Sequence, residues 1–316
     1  MKRINVNDCL FELYLQNLEI EKYILNRFRG FVVDKVDKYV DGTNSYILME
    51  EKWGGCFCND NPNSIVVRKN ETTANYFIGN YAVIRYSENE KNIILMVGEI
   101  PQNIVKLIAV KLCDIILDIL FQNHIYCMHC GVIALGDECN HGIAIIGHSG
   151  SGKTSLTLKL TEKGARLTND DLAYFTVTDG KMRAVKNIQY IGLDECNLKN
   201  NFSYLMPYVV RESFLDKSRI DFYSYNPLLY VDEIVIDTFC FISDKRKSCP
   251  DIRVLNVMEA CKKILEISNQ FNRGRCTPAY INSVFDICSS SNLYEATLTP
   301  SVGESSLYLH KVLYNI

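Results

Sequence analysis

One octapeptide constrains this chain more than any other stretch: Gly147-His148-Ser149-Gly150-Ser151-Gly152-Lys153-Thr154. It fits the pattern G-x-x-x-x-G-K-[ST], in which a glycine-rich turn joins a buried strand to a helix. Both flanks are present. Gly142 to Ile146 is an apolar run of strand length, and Ser155-Leu156-Thr157-Leu158-Lys159-Leu160 carries a helical pattern. Glycines let the backbone wrap so that successive N–H groups converge on an anion, and the helix N-terminus adds its positive dipole end. The loop predicts an α/β core and a phosphate cradle formed by Gly147, Ser149, Gly150, Ser151, Gly152, Lys153, Thr154 and Ser155. In such a cradle the Lys153 ammonium reaches the terminal phosphates and the Thr154 hydroxyl holds Mg²⁺.

Composition narrows the setting. At 316 residues the chain can bury a real core as one large or two smaller domains. A formal net charge of −3 offers no electrostatic reason to bind nucleic acid or an anionic membrane. The 13 cysteines are odd in number and scattered, and no apolar run follows Met1 to Asp8 as a signal peptide would require. Reduced thiols in a cytoplasmic protein are the expectation. Ile104 to Phe121 is strongly apolar, but Lys106, Lys111, Asp114 and Asp118 interrupt it. A core helix with one wet stripe is expected there, and not a membrane span.

Residues 1–100 read as a β-rich domain. Short runs of β-formers at 30–33, 45–49, 64–67, 81–86 and 92–97 are separated by Asn-, Gly- and Asp-rich turns. An antiparallel sheet is expected, with a role in substrate docking or support. Pro101 marks the expected boundary to a second domain, 101–316. That domain opens with a helix at about 102–123 and continues with strands at 131–135 and 142–146 around a polar turn. After the loop helix come a short strand at 165–168, a hairpin around Asp179-Gly180 and a strand-rich stretch from Ile220 to Ser243. Two helices over 258–288 and a closing helix from Ser305 to Asn315 complete the reading.

A second feature joins the phosphate loop. Asp170-Asp171 stands at the end of the short strand after the loop helix, where a protein of this architecture places its metal-coordinating acid. Adjacent carboxylates can divide their work, one facing a metal and the other an incoming hydroxyl; Asn169-Asp170-Asp171 is also turn-like. His129 enters the strand ahead of the loop, as a structural histidine or a catalytic one. Lys217 and Arg219 are either phosphate contacts or an exposed solvated pair. Cys127-x-x-Cys130 together with Cys56-x-Cys58 is a poor zinc pattern.

Met128-His129 before Gly131-Val132, the loop Gly147 to Thr154, and Lys163-Gly164-Ala165-Arg166-Leu167 running into Asp170-Asp171 together resemble the catalytic domain of HPr kinase/phosphorylase. That family shares a nucleotide-binding core with phosphoenolpyruvate carboxykinases. The resemblance covers residues 125–178 and fades through Lys217-Ser218-Arg219-Ile220-Asp221. It implies an HPr-kinase-like ATP-binding domain at 101–316 that uses ATP and Mg²⁺ to phosphorylate a serine or threonine hydroxyl. Asp170, Asp171, His129 and Lys153 would be catalytic, with Asp170 as base. Thr154, Asp171 and either Glu195 or Asp194 would lie on the metal side. Ser155 stands where the family usually has Glu, and a Glu-x-Arg-Gly segment is missing. Phosphorylase activity and HPr itself are therefore not carried over. The pattern resembles the family members that modify ribosomally made precursor peptides. Kinases for a small metabolite such as free serine, and nucleotide-binding regulators or NTPases, are the alternatives; self-association stays open.

Overall fold

The computed structural model describes residues 2–33, 44–52, 65–136, 141–187, 190–210, 217–272 and 277–314. The Cys56 and Cys58 pair lies outside them. The chain divides into two units, Met1–Asn123 and His124–Ile316.

In the first unit, β1 (Lys2–Val6) and β2 (Cys9–Tyr14) form a hairpin turned by Asn7 and Asp8, both at positive φ. These residue types tolerate that conformation. Asn17 then caps α1 (Leu18–Arg27) by accepting the N–H groups of Glu19 and Ile20. β3 (Val32–Val33), β4 (Asn44–Lys52), β5 (Ile65–Lys69), β6 (Thr73–Ile78), β7 (Ala82–Ser87) and β8 (Asn92–Val97) complete an eight-stranded sheet ordered β3-β1-β2-β4-β8-β7-β6-β5. The expected antiparallel sheet is in fact mixed, because β2–β4 and β4–β8 run parallel. Parallel neighbours need a crossover, and α1 lies within the one between β2 and β4.

The long helix α2 (Gln102–Gln122) buries Ile104, Ile108, Leu112, Ile115, Ile116 and Ile119. Its charged residues form the wet stripe, and no helix among the described residues is long and apolar enough to cross a membrane. It belongs to the first unit and not, as the Pro101 boundary implied, to the second. It packs on α1. Gln102 Nε2 donates to Glu19 at 2.5 Å, and at the far end Asn44 Nδ2 donates to Asn123 Oδ1 at 2.7 Å. The division therefore falls after the helix.

The second unit runs β9 (Ile125–Leu135), β10 (His141–Ile146), α3 (Lys153–Thr161), β11 (Arg166–Asn169), β12 (Leu172–Thr178) and β13 (Lys181–Val185). β14 (Ile191–Leu193), α4 (Glu195–Asn201), β15 (Val209–Val210), β16 (Ser218–Ile220) and α5 (Phe222–Tyr225) follow. It closes with β17 (Glu233–Arg246), β18 (Asp251–Val254), α6 (Val257–Asn272), α7 (Pro278–Ser289), β19 (Asn292–Leu298) and α8 (Val302–Tyr314). β14, β15 and β16 make a small separate sheet; the other strands form a second large one.

β9 is long enough to pair twice. Its first half lies antiparallel to β12, and its second half lies antiparallel to β10 on one side and β11 on the other. β10, β17 and β19 run parallel. The carboxyl ends of β10, β11, β17 and β19 therefore share one edge, where α/β sheets form their ligand crevices. Beneath that edge an apolar core gathers Ile133, Ile143, Ile145, Leu156, Leu160 and Leu167 with Leu309 and Leu313 of α8.

Gly131 lets α3 settle on β9. A Cβ there would stand 2.5 Å from Thr157 Oγ1 and 3.3 Å from Asp170 Oδ1. Gly131→Val is expected to lower unfolding free energy by about 1–3 kcal/mol, the usual cost of overpacking, in urea denaturation. Wild-type stability for that variant would show that α3 has room to shift.

Candidate active site

The loop after β10 is shaped by two left-handed glycines, Gly150 (φ 82°) and Gly152 (φ 96°). At Gly150 the constraint is conformational alone, since a Cβ would meet open space. At Gly152 an arginine also crowds the position, with Arg246 Nη2 3.0 Å from where a Cβ would stand. Arg246 ends β17 and donates from Nη2 to the carbonyl of Ser151 at 2.6 Å, so the loop is held from outside as well as by its own turns.

α3 begins at Lys153, whose side chain is only 6% exposed. Its ammonium lies back over the loop and donates to the His148 carbonyl at 2.9 Å. Burial pushes its pKa down, against the opposing pull of Asp170 and Asp171. Thr154 Oγ1 donates to Asp170 Oδ2 at 2.9 Å. Ser155 Oγ accepts from Asn197 Nδ2 at 2.6 Å, which ties the start of α3 to α4.

The two acids occupy contrasting environments. Asp170 follows β11, is 5% exposed, and its Oδ1 is buried without a hydrogen-bond partner. Burial, and then the neighbouring charge of Asp171, push its pKa up to about 6; the Thr154 hydrogen bond, Lys153 and His129 oppose this. Asp171 sits at φ 71° with its side chain 54% exposed, and its Oδ1 lies 3.1 Å from His129 Nδ1. The left-handed step at Asp171 turns two consecutive carboxylates to different surroundings. His129 reaches it because β9 pairs with β12, setting His129 opposite Leu172.

Most of these groups open onto a cleft of about 410 Å³; Asp170, Gly147 and Ser151 lie behind its lining. Lys153, Thr154, Asp171 and His129 line it together with Ser149, Gly150, Gly152 and Ser155. From other elements Gly192, Asn197, Asn200 and Lys217 form a further wall, and Thr299 and Val302 also line the cleft. Arg219 is not among the lining residues.

Glu195 is not brought into this constellation. It opens α4 with its carboxylate 72% exposed and 2.6 Å from Lys199 Nζ, one turn on. Asp194 does line the cleft, but its Oδ1 caps α4 by accepting the Asn197 N–H at 2.8 Å. Among the described residues no cluster of three or more His, Cys, Asp or Glu side chains could hold a metal. A nucleotide-bound Mg²⁺ takes one or two protein ligands, substrate phosphates and waters. Thr154 Oγ1, in the cleft, is a hard oxygen donor that fits it, and Asp170, whose Oδ2 accepts from that hydroxyl, is the adjoining carboxylate. Cys127 and Cys130 are buried cysteines of β9.

Arg246 and Asn197 were not found by sequence reasoning. The available signal for Arg246 was the basic run Lys245-Arg246-Lys247 directly after an apolar strand.

No protein-family model matches the sequence, and no curated protein matches it. Among solved structures the chain is similar to the Hpr(Ser) kinase/phosphatase from Coxiella burnetii, at 14% sequence identity and a TM-score of 0.34, covering 60% of this chain and 88% of that one.

Proposed function

We propose that this protein is a phosphotransferase that moves the γ-phosphoryl group of ATP, with Mg²⁺, to a serine or threonine hydroxyl of a peptide or small protein. One observation carries the reading: the Thr154–Asp170 pair and the Asp171–His129 pair stand at the foot of one glycine loop. A ribosomally made precursor peptide is the acceptor that the sequence resemblance adds, and acceptor docking remains the proposed role of residues 1–100.

In this reading Lys153 and the loop amides grip the β- and γ-phosphates. Thr154 and Asp170 would hold Mg²⁺, which when bound neutralises charge on the phosphate oxygens. Asp171 accepts the proton of the attacking hydroxyl. Its exposure keeps it open to an acceptor, and His129, with its proton on Nδ1, steadies the carboxylate. The split reverses the expected one, in which Asp170 was the base and Asp171 the metal ligand. A buried Asp170 already bonded to Thr154 has no face for an acceptor. Phosphoryl transfer asks mainly for positioning and charge neutralisation, which these groups supply.

Incubation with γ-labelled ATP, Mg²⁺ and candidate acceptors, read by mass spectrometry, tests the reaction class. Lys153→Ala should abolish turnover, and Asp171→Asn should reduce it by more than about a hundredfold, the scale of a lost general base. Unchanged rates in Asp171→Asn would make the second acid a turn residue only.

Asp170 adds a test independent of activity. Its folded pKa of about 6 lies above its ordinary value of 3.8, so the native state favours the proton. Holding the carboxylate ionised costs stability above about pH 6, and that cost disappears as pH falls toward 4. Asp170→Asn should therefore stabilise the nucleotide-free protein at pH 7, with the gain shrinking at pH 5. It should also lose turnover by more than about a hundredfold. Equal unfolding free energies of variant and wild type at pH 7 would mean that Asp170 is not strained in the fold.

A further inference from the structure

Three lysine and arginine side chains line the cleft: Lys153, Lys217 and Arg246. Lys153 belongs to the loop, and Arg246 is tied to it through the Ser151 carbonyl. Lys217 comes from the further wall. Its stem lies over Gly192, with Cδ 3.5 Å and Cβ 3.9 Å from where a Cβ on that glycine would stand. Among the described residues its ammonium has neither a carboxylate nor a hydrogen-bond partner. Its charge is nonetheless felt at Lys153, whose pKa it helps to lower.

Neither carboxylate of that region pairs with it. Asp194 caps α4, and Glu195 turns outward to Lys199. What remains are amides that bond among themselves and to the loop helix. Asn201 Nδ2 donates to Asn197 Oδ1 at 2.9 Å, and Asn197 Nδ2 donates to Ser155 Oγ. The proposed donor cradle is complete without Lys217. Lys217 is thus an unpaired cation in the same cleft as the Asp171–His129 pair.

We propose that Lys217 is the anion contact for the acceptor: the phosphorylated molecule brings a carboxylate or phosphate close to its hydroxyl, and Lys217 binds that group while Asp171 meets the hydroxyl. This rests on the phosphotransfer reading and adds the acceptor's charge to it. The acceptor class is an acidic peptide. The same cation could instead serve the terminal phosphate of the nucleotide, and the test separates the two sources.

The full-length protein, loaded with Mg²⁺ and β,γ-imido-ATP, is titrated by calorimetry with serine peptides flanked by aspartates, by asparagines or by lysines. The aspartate peptide should bind about tenfold more tightly than the asparagine one, the scale of a single charge-assisted hydrogen bond. Lys217→Ala should erase that preference, and Lys217→Glu should turn it toward the lysine peptide, both with wild-type melting temperatures. Equal affinities for the three peptides, or no binding of any, overturn the proposal. A loss of β,γ-imido-ATP affinity in Lys217→Ala as large as the loss of peptide affinity overturns it too, and assigns the cation to the donor. Failure of the wild-type protein to bind β,γ-imido-ATP would instead sink the phosphotransfer reading itself.

Discussion

The hydrogen bond from Thr154 to Asp170 joins the two halves of the site, and the geometry around it depends on how closely α3 approaches β9. Thr154 belongs to the first turn of the loop helix, and Asp170 to the turn after β11, 16 residues on. They meet because β11 pairs with the half of β9 that also pairs with β10, the strand leading into the loop. Gly131, in that half of β9, leaves the space that Thr157 and Asp170 occupy. A side chain there would separate the carboxylate from the hydroxyl before it touched the loop itself.

Closeness of this kind has an electrostatic cost. Asp170 is buried beside another carboxylate, with one oxygen unsatisfied, and Lys153 is buried with its pKa depressed. Proteins rarely leave an ionisable group in such a state without a reason, because desolvation disfavours the charged form by several kcal/mol at most buried sites. The opposing signs explain how the arrangement survives. Lys153 lowers the pKa of Asp170, and Asp170 raises that of Lys153, so each offsets part of the other's burial. On the proposed reading, what they leave over is a local field that a triphosphate and a divalent cation would complete. Strain of this sort is a mark of functional sites more than of structural ion pairs.

The legible parts of the sequence were the local ones. The loop could be read because its glycines are needed for the left-handed turns at Gly150 and Gly152, a constraint written within eight residues. The acid pair could be read as a pair, but not its division of labour. One dihedral at Asp171 decides which carboxylate faces Thr154 and which faces His129, and Asp-Asp does not announce that angle. Glu195 stood near the right place in the chain but on the wrong phase of a short helix, where Lys199 four residues later draws it outward. Arg246 reaches the loop from 95 residues away through the parallel pairing of β10 with β17, which no local pattern records. The mixed sheet of the first unit escaped for the same reason. Alternation marks a strand, but it does not say which strand lies beside it or in which direction.

The distribution of charge across the cleft gives the acid pair its meaning. If both carboxylates faced solvent they would be a turn, and if both were buried one would stay protonated. Here the buried one accepts a hydrogen bond from the Thr154 hydroxyl and keeps its other oxygen buried and unpartnered, while the exposed one is steadied by His129. A group that must hold a cation needs desolvation and a fixed hydroxyl beside it. A group that must take a proton from a mobile partner needs access and an oriented lone pair. On the proposed reading, a single backbone turn after β11 meets both requirements with adjacent residues, so that two aspartates in sequence would act as different reagents without any further change in the fold.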